Sequence, residues 1–107
     1  MIRQGLASEL ADELGDIFRS PRGGTWIRLQ ILSAAQYAEN DGTPGGVYPV
    51  FVTIIKSKLP SHEEMQKEAE KITGVVAQIC SRPSENVHVI YQPEGQGRVA
   101  FGGKLVL

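Results

Sequence analysis

The sequence predicts an α+β domain: a β-α-β repeat with two helices packed on one face of a mixed sheet, the first strand of the first repeat missing. Three observations predict it. Two apolar stripes with helical spacing are each stopped by a proline. Each proline is followed, at the same distance, by a run rich in β-branched and aromatic residues. The chain also matches itself when slid by 62 residues, with no gap from Ala7 to Gln30.

The first element is a helix. Ile2, Leu6, Leu10, Leu14 and Ile17 recur every three or four residues, leaving Glu9, Asp12, Glu13 and Asp16 on other faces. Pro21 and the pair Gly23-Gly24 stop it. TWIRLQIL, residues 25–32, alternates Ile27 and Leu29 with Arg28 and Gln30 and is predicted to be a strand. Residues 33–47 form a loop, marked by Asn40-Asp41-Gly42 and Thr43-Pro44-Gly45-Gly46. YPVFVTIIK, residues 48–56, is the strongest strand; its nearly continuous apolar run predicts cover on both faces, and Pro49 stands at its start, where a missing N–H is tolerated. The second helix opens on Ser61-x-x-Glu64, a capping-box spacing, and carries the stripe Met65, Ala69, Ile72, Val76, Ile79 up to Pro83. ENVHVIYQ, residues 85–92, is a third strand. The glycine-punctuated tail, PEGQGRVAFGGKLVL, is predicted to be a hairpin-like extension.

In the 62-residue register Pro21 falls on Pro83, Ile17 on Ile79, Leu14 on Val76, Leu10 on Ile72, Ile27 on Val89 and Gln30 on Gln92. The counterpart of the strand at residues 48–56 falls ahead of Met1. The chain thus divides into repeat one, 1–47, and repeat two, 48–107, within one domain, and each full repeat should join two parallel strands through a right-handed crossover.

Composition narrows the functional classes. Eleven Lys and Arg face twelve Asp and Glu, and no basic run suggests a nucleic-acid or membrane surface. One cysteine, Cys80, excludes an internal disulfide and fits a reducing, cytoplasmic setting. The amino-terminal stretch lacks the apolar segment of a signal peptide. Two separated histidines, His62 and His88, with a single cysteine give no metal constellation, and no glycine motif opens a helix as a phosphate cradle, so neither a metal nor another cofactor is expected.

Repeat two resembles the tautomerase superfamily, the group that includes 4-oxalocrotonate tautomerase and macrophage migration inhibitory factor. The resemblance rests on Pro49 opening a strand, the capped helix from Ser61, the segment Asn86-Val87-His88-Val89-Ile90, and the closing run Gly97-Arg98-Val99-Ala100-Phe101-Gly102-Gly103-Lys104-Leu105. It covers residues 48–106 and, through the internal repeat, residues 2–30. It implies a keto–enol tautomerase or related isomerase acting on a small carboxylate-bearing compound, and trimers of fused two-repeat chains. It also implies an amino-terminal proline as base, because a free amine titrating near ~8 is brought toward neutrality by burial. This sequence departs there. It begins Met1-Ile2, and the nitrogen of Pro49 is an amide without useful basicity. Either a proline strand lies upstream, or the usual chemistry is lost and the chain serves as a binding or assembly protein. An unrelated ferredoxin-like binding module shares the same plan.

Four residues are candidates for the site. His88 takes the position where the resemblance implies a substrate-binding arginine, and is the one candidate for a catalytic role, since imidazole serves as acid or base near neutrality. Arg28 would grip a carboxylate, with Trp26, two residues away on the same strand face, as an apolar wall. Arg98 would reach a pocket or a neighbouring subunit. Lys56 and Lys58 lie near where the resemblance allows a cationic substrate contact, but solvated surface lysines are the favoured reading. Tyr48 and Pro49 border the site position. Cys80, near a helix C-terminus, reads as structural, and His62, in a first helical turn, as solvated. The strand vacancy exposes backbone and apolar surface, which predicts a homo-oligomer, a trimer or a multiple of it.

Overall fold

A computed structural model describes residues 4–107. Ile2, the start of the first predicted stripe, lies outside the described residues. The elements run α1 (Leu6–Phe18), β1 (Val50–Ile54), α2 (His62–Cys80), β2 (Val87–Tyr91), β3 (Ala100–Phe101) and β4 (Lys104–Leu105). Short 3-10 turns at Ala34–Gln36, Pro44–Gly46 and Ser84–Asn86 shape the connections.

The apolar stripes build the core. Leu10 and Leu14 of α1 and Ile72, Val76 and Ala77 of α2 are buried together with Ile54 of β1 and Val87 of β2. Ile72 has no exposed surface at all. Side chains of this size each contribute about 1.5–3 kcal/mol on full burial, so this small cluster, fed by both repeats, dominates the stability. At the start of α2, Ser61 Oγ accepts from the Glu64 N–H at 3.2 Å, as the capping spacing predicts.

The predicted repeat is written into the backbone. At the end of α1, Arg19 adopts φ +54°, the Ser20 N–H donates to the Gly15 carbonyl and the Arg19 N–H to that of Asp16. At the end of α2, Ser81 adopts φ +55°, the Arg82 N–H donates to Ala77 and the Ser81 N–H to Gln78. These are the same Schellman ending, 62 residues apart. The next turn repeats too: the Gly24 N–H donates to Pro21 at 2.8 Å, and the Asn86 N–H to Pro83 at 2.9 Å. Proline, which cannot continue a helix, follows both endings.

The two repeats then part. β2 pairs in parallel with β1 in the register Val50↔Val87 to Ile54↔Tyr91. Residues 25–32, predicted to be a strand, alternate in burial as far as Gln30, with Ile27 and Leu29 packed on the core, yet they join no ladder among the described residues. This is a correction to the prediction, with a plain cause: in repeat two the partner of β2 is β1, and the counterpart of β1 is not among the described residues. The mixed sheet is therefore present as the parallel pair β1–β2 and a small antiparallel hairpin, β3–β4. That hairpin matches the expected tail. Gly102 and Gly103 at φ +56° and +85° supply the two positive angles that a two-residue turn of the I′ kind demands.

The expectation that β1 is covered on both faces is also corrected for the single chain. Val50, Val52 and Ile54 face the helices, whereas Phe51, Thr53 and Ile55 line an open face with His88 and Ile90 of β2. Residues on alternate sides of a strand cannot share a layer, and among the described residues no second layer covers this side.

Candidate functional site

The open face of the β1–β2 sheet is where the candidate residues of repeat two meet. The parallel register sets His88 opposite Phe51, and their rings lie 5.4 Å apart with a 44° tilt. Tyr37, from the loop before β1, extends this group. Its ring is 6.1 Å from that of Tyr48 in an edge-on arrangement and 6.1 Å from that of Phe51. The Tyr37 hydroxyl donates to Glu39 Oε2 at 2.6 Å, and that bond, with the carboxylate charge beside it, raises the phenol above its ordinary range.

The lead-in to β1 is held by the start of repeat two's second strand. Arg82 Nε donates to the Tyr48 carbonyl at 3.1 Å and Asn86 Nδ2 to the Val47 carbonyl at 3.3 Å. Pro49 follows, half-buried, its nitrogen committed to the chain. Tyr48 and Pro49 thus border the group around His88.

The candidates of repeat one and the tail form a second group. The Trp26 ring meets Phe101 edge-on at 5.1 Å, and Trp26 Nε1 donates to the Gly23 carbonyl at 2.8 Å. Trp26 and Arg28 project on the side away from Ile27 and Leu29, as their spacing predicts. Arg98 stands exposed in the turn before β3, where its N–H donates to Gly95 at 2.8 Å. The tail is anchored to the connection after β1 by Gly95 N–H to Lys56 and Gln96 N–H to Ser57, at 2.7 and 3.0 Å. Among the described residues, the side chains of Arg28, Arg98 and His88 make no hydrogen bond or ion pair, so their polar atoms are uncommitted. No ring or polar contact joins the Trp26 group to the His88 group among the described residues.

Lys56 is placed otherwise than as a free substrate contact. Its ammonium bonds Glu68 Oε2 at 2.8 Å and sits 5.0 Å above the centre of the Phe18 ring. The other oxygen of Glu68 accepts from the Tyr91 hydroxyl at 2.7 Å. Burial first, and then the bond to Glu68, raise the Tyr91 phenol well above its ordinary value. Lys58 and His62 are exposed, and Cys80 is half-buried at the last turn of α2. Among the described residues no three His, Cys, Asp or Glu side chains gather as a metal site.

Sequence reasoning missed Tyr37 and Phe51. The strand period carried a signal for Phe51, since it shares a side with Thr53 and Ile55. Tyr37 lies in an aperiodic loop and carried none.

No family model and no curated protein sequence matches the chain. Among solved structures it is similar to N1, a member of the cis-3-chloroacrylic acid dehalogenase (cis-CaaD) family, with a TM-score of 0.70 and 24% identity; the match covers 98% of this chain and 79% of that one. The family of that neighbour lies within the tautomerase superfamily. Helix–strand repeats with matching corners, a parallel pair joined through α2 and a glycine-turned tail hairpin all agree with that likeness, and the fold of this chain is the tautomerase-superfamily fold.

Proposed function

We propose that this chain is a tautomerase-superfamily protein that interconverts the keto and enol forms of a small carboxylate-bearing compound. The observation that carries the reading is the fold, shared with a neighbour over 98% of this chain. The name of that neighbour's family specifies an unsaturated carboxylic acid, which supports a substrate of that class here. In such a reaction a base moves a proton between carbon and oxygen while a cation steadies the charge on oxygen. The amide nitrogen of Pro49 cannot take that proton. His88, exposed beside Phe51, has in its neutral form one unprotonated ring nitrogen to do so. Arg28 and Arg98 serve as carboxylate contacts and Trp26 as an apolar wall, brought to His88 by assembly. The chain acts as one domain of two repeats, 1–47 and 48–107, in the cytoplasm. Phe51, Ile55 and Ile90, 53%, 61% and 45% exposed on the open face, support a homo-oligomer, a trimer or a multiple of it.

The test is ketonisation of phenylpyruvate and 2-hydroxymuconate followed by absorbance. Activity above the buffer control, cut about 100-fold by His88→Ala, is the expected result. No rate above buffer at micromolar protein refutes it. The amide state of Pro49 favours one further reading, a non-catalytic binding or assembly protein of the same fold. On that reading His88→Ala and Arg28→Ala leave any turnover unchanged.

A further inference from the structure

We infer that Tyr37, Tyr48 and Phe51, with the carboxylate of Glu39, form an open aromatic cage that binds a quaternary ammonium group. Its parts lie within one stretch of chain, residues 37–51, and need no tautomerase activity to work. The ring of Tyr37 lies 6.1 Å from that of Tyr48 at 79°, and 6.1 Å from that of Phe51 at 53°. Rings set at such angles do not stack; they stand as walls to one another. Tyr48 and Phe51 are 41% and 53% exposed, so ring surface remains after these contacts are made. A ring face holds a cation that lies within ~6 Å of its centroid. Centroids 6.1 Å apart let one cation on their shared side meet that limit for neighbouring rings.

Charge selects the ligand. Residues 33–48 contain Glu39 and Asp41 and no Lys or Arg. The Tyr37 hydroxyl donates to Glu39 Oε2 at 2.6 Å, which ties a carboxylate to the rim of the cage. Among the described residues a cation lies over a ring at Phe18, where Lys56 sits, and over none of these three. The guanidinium of Arg82 is committed to the carbonyls of Tyr48, Cys80 and Ser81. A primary ammonium is strongly hydrated and would lose its water here for few hydrogen bonds. A quaternary ammonium gives up less water and lays its methyl groups on the ring faces.

The walls are in place before a ligand arrives. A turn closed by Ser33 N–H to Gln36 Oε1 at 2.8 Å and by Gln36 N–H to the Ser33 carbonyl at 2.9 Å delivers Tyr37. The Gly42 N–H closes the next turn on the Glu39 carbonyl at 3.0 Å. Arg82 and Asn86 hold the Tyr48 and Val47 carbonyls, and Phe51 is fixed in the β1–β2 ladder. Walls ordered in this way lose little freedom on binding.

The test titrates choline into the intact chain at low salt and reads its N-methyl proton signal by NMR. The pH is 8, because His88 stands 5.4 Å from Phe51 and a neutral imidazole does not oppose a cation. The control is neohexyl alcohol, which has the shape of choline with a carbon in place of the charged nitrogen. The choline methyl signal should move upfield, as it does over ring faces, with a millimolar Kd at least about tenfold tighter than that of the neutral alcohol. Tyr37→Ala and Phe51→Leu should each weaken choline binding at least about threefold, and Glu39→Gln about twofold, with circular dichroism unchanged. Phe51→Leu keeps an apolar side chain in the strand, so the cage is tested even if Tyr37→Ala disturbs the loop. No upfield shift at tens of millimolar choline overturns the inference. So does equal affinity for the neutral alcohol, or unchanged choline affinity in folded Phe51→Leu.

Discussion

Glu68 joins two partners, and removing it tests whether that junction stabilises the fold. Its side chain, 15% exposed, accepts from Lys56 Nζ at 2.8 Å and from the Tyr91 hydroxyl at 2.7 Å. Hydrogen bonds to a charged group are worth about 1.5–3 kcal/mol when buried. Partial exposure of both partners reduces this, so about 1–2 kcal/mol is expected for the Tyr91 bond and less than 1 kcal/mol for the Lys56 pair. Glu68→Ala, which is neutral for helix propensity, should thus cost about 2–3 kcal/mol in urea unfolding. Tyr91→Phe should cost about 1–2 kcal/mol, and the double variant little more than Glu68→Ala alone, giving a coupling of at least about 1 kcal/mol. Strict additivity of the two single losses refutes the reasoning, because two groups that share a bond cannot lose it twice. The pH dependence follows from the same bond. The folded phenol of Tyr91 titrates above its unfolded value, so its contribution is complete below about pH 10 and declines as pH rises past that point toward the higher folded value. Urea midpoints of the wild type should fall between pH 9 and 11 more steeply than those of Tyr91→Phe.

Ile72→Ala opens a hole in a position with no exposed surface and should cost about 3 kcal/mol, read by thermal or urea melts; a loss under about 1 kcal/mol contradicts the core described above. Ser81→Gly and Arg19→Gly relieve left-handed backbone at the helix ends and should each stabilise by about 0.5–1 kcal/mol, and a destabilised pair refutes the two Schellman endings. Phe51→Lys puts a charge on the open sheet face and should shift any oligomer toward monomer in light scattering without loss of helical circular dichroism.

Much of the fold is legible in the sequence because its punctuation is local. The stripes of Leu10 and Leu14 and of Ile72 and Val76 give the helices, and a proline after each gives the stop. The 62-residue self-match, made there from side-chain type alone, reappears in hydrogen bonds that involve only the backbone. What local pattern cannot supply is partnership. Residues 25–32 have the composition of a strand, but a ladder needs a second backbone. Lys56 reads as a free cation because its partner, Glu68, lies beyond a connection and about two helical turns, and only packing brings the two together. For the candidate site, Trp26 and Arg28 share a side as a period of two requires, and His88 lies on the open sheet face. That His88 meets Phe51 follows from a pairing register that no spacing in the sequence encodes, and Tyr37 arrives from a loop without periodicity.

A protein with one cysteine has no internal covalent cross-link, and Lys56 does part of that work by charge. Its ammonium lies over Phe18 at the close of α1 while it grips Glu68 on α2, so one side chain leaving the end of β1 staples three elements. Such a staple responds to the medium as a disulfide does not. Concentrated salt loosens it and reductant leaves it untouched, which makes ionic strength rather than redox state the variable that this corner of the molecule senses.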